Sequence, residues 1–350
     1  MSPSLRIALV GETFAASRTP QRVQAMRDMG HTVTAIPTTV EGRTYETRPS
    51  LMDRLRYRLR LPADPAGANA ALVEAARGGL DLVWLDNAAI IRAATLEEVR
   101  RLCPRVKLAW YCEDDMMNPR LGSRWLDRAL PLFDLWITTK SFNARPEEMP
   151  SRGVRRILVV DNCYDAALHR PATPTADDFA RLGADIAFIG TFEAPRAADL
   201  LALARAGLNV RVWGNGWAAM IGAHPLLKIE NRPIYNQDFA LAIACTRINL
   251  CFLRKANRDL QTCRSMEIPA CGGFMAHERN DEIARLFLPD RHAAYFSHAG
   301  ELVELCRQWL ADETGRARVA AAGRARVEEL GLDHATMIGR ALAALFPDQG

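Results

Sequence analysis

RDLQTCRSMEIPACGGFM, residues Arg258–Met275, reads as a charged loop, a short helix and a buried strand in that order. Thr262 is placed to cap the helix start by accepting from exposed backbone N–H groups. Gly272 and Gly273 end the helix, and Phe274 and Met275 open the next apolar run. Glu267 sits mid-helix, one turn after Arg264, and Asp259 lies eight positions before Glu267. A helix N-terminus carries unpaired N–H groups and a partial positive charge, which suits a phosphate. A carboxylate one turn further in is placed to accept from sugar hydroxyls. The stretch therefore points to a site for a sugar nucleotide.

The same residues resemble the donor-site signature of GT-B glycosyltransferases of the retaining, family-4 type. That signature has two acids separated by seven residues, the second opening an E-A-x-A-x-G stretch. Here the second acid opens Glu267-Ile268-Pro269-Ala270-Cys271-Gly272. The wording R-S-M-E-I-P-A-C-G-G is closer still to the CgeB-like group of that superfamily. The family's first acid is usually Glu, whereas this chain has the shorter Asp259. The resemblance implies a nucleotide diphosphate sugar as donor substrate, no further cofactor and no metal. It implies that Glu267 holds the ribose hydroxyls, that Asp259 sits by the donor sugar, and that Arg264 helps neutralise the departing diphosphate.

Length and composition fit two domains. A chain of 350 residues exceeds one ordinary domain. The formal net charge of +4 permits an anionic ligand without demanding nucleic acid. No apolar run reaches transmembrane length and the N-terminus lacks a signal-peptide pattern, so a cytoplasmic protein is expected. The eight cysteines form no C-x-x-C pair and mostly lie in apolar runs, as reduced structural thiols do. The histidines show no metal-binding spacing.

The chain repeats one pattern twice. In the first half, apolar strands are expected at Leu5–Val10, His31–Ile36, Leu82–Leu85, Val106–Tyr111 and Leu135–Thr138. Helices are expected near Pro20–Met29, Ala68–Arg77 and Leu96–Leu102. The second half restarts with strands at Asp185–Ile189, Val210–Trp213, Ile248–Phe252 and Tyr295–Phe296. Its helices are expected over Arg196–Ala206, Phe239–Ala244 and around Glu267, and three amphipathic helices close the chain near Glu301–Leu310, Arg316–Leu330 and Ala335–Leu345. Such alternation implies α/β doubly wound parallel sheets. The proline-rich HRPATPTADD, His169–Asp178, marks a boundary. An acceptor domain over 1–172 and a nucleotide-sugar donor domain over 173–350 are expected. Two Rossmann-like domains facing a cleft are the GT-B architecture that the resemblance implies, with the last helix crossing back to the first domain.

Further site candidates lie at strand ends, where open α/β sheets bind ligands. Gly11 and Gly190 allow tight turns there, but neither belongs to a G-x-G-x-x-G or Walker loop. By the resemblance, Gly190–Arg196 matches the first loop of the donor domain, with Arg196 meeting the pyrophosphate. Gly214-Asn215-Gly216-Trp217 is placed near the base, and a plain structural turn explains it equally. Glu113-Asp114-Asp115 follows an apolar strand. Asp114 or Asp115 would orient or deprotonate an acceptor hydroxyl, while helix capping or, less well by spacing, metal binding remain open. The run Arg54–Arg60 forms a basic helix with Leu51, Leu55 and Leu59 along one side. It suits peripheral contact with the inner face of a membrane, a phosphate-bearing acceptor, or simple solvation. The reading is a glycosyltransferase, metal-independent, acting on an unidentified hydroxyl acceptor: a saccharide, a lipid-linked glycan or a protein. A sugar-nucleotide epimerase on the same fold, or a non-catalytic nucleotide- or sugar-binding protein, stays open.

Overall fold

Mostly apolar runs of four to six residues make the central strands, because a parallel strand with helices on both faces has no side to give to water. The computed structural model describes residues 4–14, 17–44 and 46–347. In chain order, β1 (Arg6–Gly11) leads to α1 (Thr19–Asp28), β2 (Thr32–Pro37), α2 (Leu51–Arg58), α3 (Ala68–Arg77), β3 (Leu82–Asp86) and α4 (Ala93–Leu102). Then come β4 (Lys107–Cys112), α5 (Arg124–Ala129), β5 (Leu135–Thr138) and β6 (Ile157–Val159). These strands form one parallel sheet in the order β2-β1-β3-β4-β5-β6. Stacked indoles anchor its core: Trp110 and Trp136 lie 5.1 Å apart, centroid to centroid, with no side-chain surface left to solvent.

The second sheet is built the same way. It runs through α6 (Ala176–Leu182), β7 (Ala184–Ile189), α7 (Ala194–Arg205), β8 (Val210–Trp213), β9 (Leu227–Ile229), α8 (Asn236–Ala244), β10 (Thr246–Cys251) and α9 (Cys263–Ala270). β11 (Met275–Glu278), α10 (Asp281–Leu286), β12 (Ala294–Phe296), α11 (Ala299–Ala311) and α12 (Glu313–Glu329) complete it, and α13 (His334–Leu345) follows. The strand order is β12-β11-β10-β7-β8-β9, again parallel. Both of its faces are covered, one by a cluster around Trp213, Phe239 and Met266, the other by one around Phe188, Trp217, Phe252 and Phe274.

The chain divides into two units, one running to Asp161 and resuming at His334, the other Asn162–Asp333. α13 thus belongs with the first sheet, where it packs on α1 and His334 Nε2 lies 3.2 Å from Gln21 Oε1. The sequence reading placed one boundary between 172 and 173; the division falls at 161/162 and again at 333/334. The reason is local. The proline-rich stretch is no linker, since Thr175 opens α6 in a reciprocal cap with Asp178, and Tyr164 N–H donates to Leu332 O at 3.0 Å. Among the described residues, no helix is long and apolar enough to cross a membrane.

In each sheet the chain reverses its direction of build-out once, between β1 and β3 and between β7 and β10. The carboxyl ends of those strand pairs are the two places where this architecture leaves a crevice for a ligand.

Candidate functional site

The turn after β7 is held by three side chains on three successive carbonyls. Arg264 Nε donates to Ile189 O at 3.1 Å, Trp217 Nε1 to Gly190 O at 2.9 Å and Arg196 Nη1 to Thr191 O at 3.1 Å. Gly190 N–H and Phe192 N–H donate in turn to Trp213 O and Asn215 O, which ties this turn to the one after β8. Gly214 has no substitute there. Its φ is +146°, and a Cβ would stand 1.9 Å from Gly190 O. Gly190 and Gly214 therefore shape the site through the backbone, which supports the plain-turn reading of Gly214-Asn215-Gly216-Trp217 as fully as the base-binding one.

α9 follows β10 and starts at Thr262, which takes the N-cap position with extended backbone. Thr262 N–H donates to Ser265 Oγ at 3.0 Å, and that hydroxyl lies 2.8 Å from His277 Nε2. His277 Nδ1 is 2.6 Å from Glu278 O, a group that only accepts, so Nδ1 carries the proton. Burial alone would lower the His277 pKa, but Cys251 and the Glu278 carbonyl outweigh it and raise it. The helix ends at Ala270, and Gly272 turns the chain at φ +76°.

Three charged groups converge here. Glu267, only 2% exposed, pairs through Oε2 with Arg264 Nη1, and its Oε1 lies 3.8 Å from His169 Nε2. His169 Nδ1 accepts from Asp165 N–H at 3.0 Å, so a neutral His169 presents Nε2–H to Glu267. Arg264 also stacks over the Phe239 ring, 4.4 Å from its centroid. Arg196 lies in the first turn of α7 and is 6% exposed. Its Nε has no hydrogen-bond partner, and its nearest carboxylate oxygen, Glu193 Oε2, is 3.7 Å away. Burial pushes the Arg196 pKa down, with Glu193 opposing and Arg254 adding to it. A buried guanidinium with an idle N–H is destabilising on its own account, and an anion seated against it would repay that loss.

Asp259 is buried and serves its own loop. Its Oδ2 accepts from Arg254 Nε at 2.9 Å and from Arg254 N–H at 3.3 Å, and its Oδ1 accepts from Asn257 Nδ2 at 2.5 Å. Those bonds hold Arg258 in a left-handed conformation just ahead of α9. The structure thus brings Gly190, Arg196, Gly214, Thr262, Arg264 and Glu267 to one end of the second sheet, with Asp259 bracing the loop between β10 and α9.

The first sheet has its own charged cluster at the β1/β3 crevice. Asp86, ending β3, takes Arg22 Nε and Nη2 at 2.9 Å each and Thr19 Oγ1 at 2.8 Å. Arg22 Nη1 reaches Glu113 Oε1 at 3.2 Å, and Tyr111 Oη donates to the same oxygen at 3.0 Å. Burial opposes the Arg22 charge, but Asp86, Tyr111 and Glu113 outweigh it and raise its pKa. Of the acidic run, Glu113 joins this network. Asp115 is buried, accepting from Asn143 Nδ2 at 3.0 Å and Met117 N–H at 3.1 Å, a bond pattern that stabilises a turn. The next helix, α5, starts only at Arg124 and is capped by Ser123, so helix capping does not describe the Asp115 turn. Asp114 is half-buried, and its N–H donates to Cys112 Sγ at 3.2 Å. His169, Arg22 and Asp86 escaped the sequence reading. Asp86 had a signal, a lone acid closing the apolar run LVWLD. Among the described residues, no group of three or more His, Cys, Asp or Glu is placed to hold a metal ion, and all eight cysteines are buried.

Residues 196–336 match the sequence model of a family described as glycosyl transferase-like. No curated protein matches the chain by sequence. The fold is similar to that of sucrose-phosphate synthase (tll1590) from Thermosynechococcus elongatus, at TM-score 0.65 and 14% identity, covering 98% of this chain and 100% of the other. It is similar to Alr3699/HepE from Anabaena in complex with UDP and glucose, at TM-score 0.65 and 12% identity, covering 97% and 100%. An α-glucosyltransferase in complex with UDP-glucose and DNA superposes at TM-score 0.69 and 13% identity, covering 98% and 100%. The chain thus has the two-domain α/β fold of GT-B glycosyltransferases, and all but the last three residues of the glycosyl transferase-like segment lie in its second unit.

Proposed function

We propose that this chain is a glycosyltransferase that moves a sugar, of hexose type, from a nucleotide diphosphate sugar to a hydroxyl acceptor. The C–O bond to the diphosphate breaks with its electron pair leaving on the phosphate oxygen. The acceptor oxygen forms the new bond to the sugar carbon and passes its proton to a carboxylate of the Glu113–Asp115 run. Charge on the leaving diphosphate grows as that bond breaks, so fixed cations beside it lower the barrier. Arg196, Arg264 and the N-terminus of α9 at Thr262 supply that field, which makes the reaction independent of metal. Glu267 receives the ribose hydroxyls, oriented by Arg264 and His169. Asp259 keeps the loop on which the donor sugar rests, and Glu113 to Asp115 stand on the acceptor side. Retention of configuration is part of the proposal and rests on the spacing of Asp259 and Glu267.

The observation that carries this reading is Arg196: a buried guanidinium with an unused N–H, in the first turn of α7 beside the Gly190 turn. Structure alone gives such a group little reason to be charged. Arg196→Met keeps much of its volume and removes the charge. The variant is expected to melt within about 1 kcal/mol of the parent, since it loses one bond to Thr191 O but also a poorly paired buried charge. Its affinity for nucleoside diphosphates, screened by thermal shift and measured by calorimetry, should fall at least about tenfold. Undiminished nucleoside diphosphate binding by a folded Arg196→Met protein would remove the donor site from this place. The structural neighbours crystallised with UDP and UDP-glucose make uridine diphosphate the first nucleotide to test.

A further inference from the structure

Helix α2 buries none of its residues. Leu51 is 82% exposed, Met52 55%, Leu55 50% and Leu59 47%. At about 100° per residue these four side chains fall in one stripe roughly 100° wide along α2 and its last turn. Arg54 and Arg58 flank the stripe on one side and Arg56 on the other, all exposed. Tyr57 lies off the stripe. Between Arg43 and Arg60 there are six arginines against two carboxylates, so this short segment carries the whole formal excess of +4 of the chain. One of the two acids, Asp53, is taken up by the cap with Ser50 and lies 3.7 Å from Arg43.

The helix is nevertheless fixed to the body. Arg60 Nε donates to Pro119 O at 2.8 Å, Arg60 Nη2 pairs with Asp127 at 2.9 Å, and Arg124 N–H donates to Arg60 O at 2.8 Å. An exposed apolar stripe held in place and bordered by arginines is stable in water only at a loss. It suits an interface where apolar groups sink into acyl chains and cations meet phosphates at the same depth.

We infer that α2 docks the first unit on an anionic lipid bilayer, with Leu51, Met52, Leu55 and Leu59 entering the acyl boundary and Arg54, Arg56 and Arg58 meeting lipid phosphates. A nucleic acid would use the arginines but not the leucines, and a second protein copy would use the leucines while the arginines repelled one another. An anionic bilayer uses both. This inference does not depend on the transfer reaction. It does give the acceptor a place, since a lipid-linked acceptor would be concentrated on the surface the first unit rests on.

The test is co-sedimentation of the full chain with vesicles of mixed phosphatidylglycerol and phosphatidylcholine, beside vesicles of phosphatidylcholine alone. The parent should partition at least about tenfold more strongly onto the anionic vesicles, and added salt should weaken the binding. Replacing Arg54, Arg56 and Arg58 together by Gln should lower partition by roughly fivefold per arginine. Leu51→Ser with Leu55→Ser leaves every charge in place and should still lower it roughly tenfold or more. Both variants should keep the parent's melting temperature, because no α2 side chain is buried. Absence of parent binding to anionic vesicles overturns the inference. So does loss on the arginine changes with none on the leucine changes, which would describe a general anion site. A dimer in solution that dissociates on Leu51→Ser with Leu55→Ser, with no vesicle binding by the parent, would equally overturn it.

Discussion

Glu267→Gln tests the centre of the proposed donor site with an isostere. The change leaves no cavity, so its effect is electrostatic. Glu267 is 2% exposed and pairs with Arg264, whose side chain keeps 26% of its surface in solvent. Stranding a fully buried charge would cost about 3–5 kcal/mol. Arg264 is not stranded, since it keeps Ile189 O, the Phe239 ring and some water. A hydrogen bond to a charged partner, about 1.5–3 kcal/mol, is the better measure, and about 2 kcal/mol is expected. For a unit the size of Asn162–Asp333 that is a fall of roughly 4–8 °C in melting temperature. The binding signature is separate. If both ribose hydroxyls donate to this carboxylate, the parent should prefer a ribonucleoside diphosphate over its 2′-deoxy analogue by about tenfold, and the Gln variant should lose most of that preference. Calorimetry with the two nucleotides on the two proteins closes the cycle. A parent that binds both equally, or a variant that keeps the full preference, would refute the role given to Glu267.

Two other expectations are quickly checked. Transfer should survive excess chelator if, as proposed, cations of the chain and the α9 N-terminus do the work of a metal; activity lost with chelator and restored by magnesium or manganese would count against this. Partial burial pushes the Asp81 carboxyl up, but the Arg6 guanidinium and backbone N–H outweigh it and hold it below the usual carboxylate range. A depressed folded pKa gives stability that is present above the unfolded value near about 4 and is lost as pH falls through the folded one. The melting difference between parent and Asp81→Asn should therefore be open at pH 7 and close below about pH 4; a gap that persists in acid would show that Asp81 acts by shape rather than charge.

Much of the fold could be read because burial on both faces writes itself into the chain. β1, β3, β4, β7 and β10 are runs whose side chains nearly all point into core, and such runs stand out from their polar turns. β6 and β9 went unread for the opposite reason. Each is a three-residue strand at a sheet edge with a half-exposed pattern, and nothing local separates that from loop. The unit boundary was displaced because proline and polar residues were taken for a linker, whereas they cap α6, and Tyr164 just before them pairs with Leu332 near the end of the second unit.

The site divides along the same line between near and far. Thr262, Arg264 and Glu267 lie within one short helix, where helical spacing alone sets cap, cation and acid against each other, so the pairing of Arg264 with Glu267 follows from the sequence. His169 belongs to the same cluster, yet it comes from a stretch far upstream, and its part in the site depends on Asp165 N–H fixing its tautomer. The first unit repeats the lesson more sharply. An acid closing an apolar strand, as Asp86 closes LVWLD, must find a cation or stay protonated, because a bare buried carboxylate is far too costly. The sequence therefore announces that a partner exists. That the partner is Arg22, gripping both carboxylate oxygens and reaching on to Glu113, is decided by the pairing of β1 with β3 and by the turn that brings α1 beside them. Glu113 is consequently the acid of that run which the fold ties to Arg22 and Tyr111 at the β1/β3 crevice, while Asp115 accepts from Asn143 Nδ2.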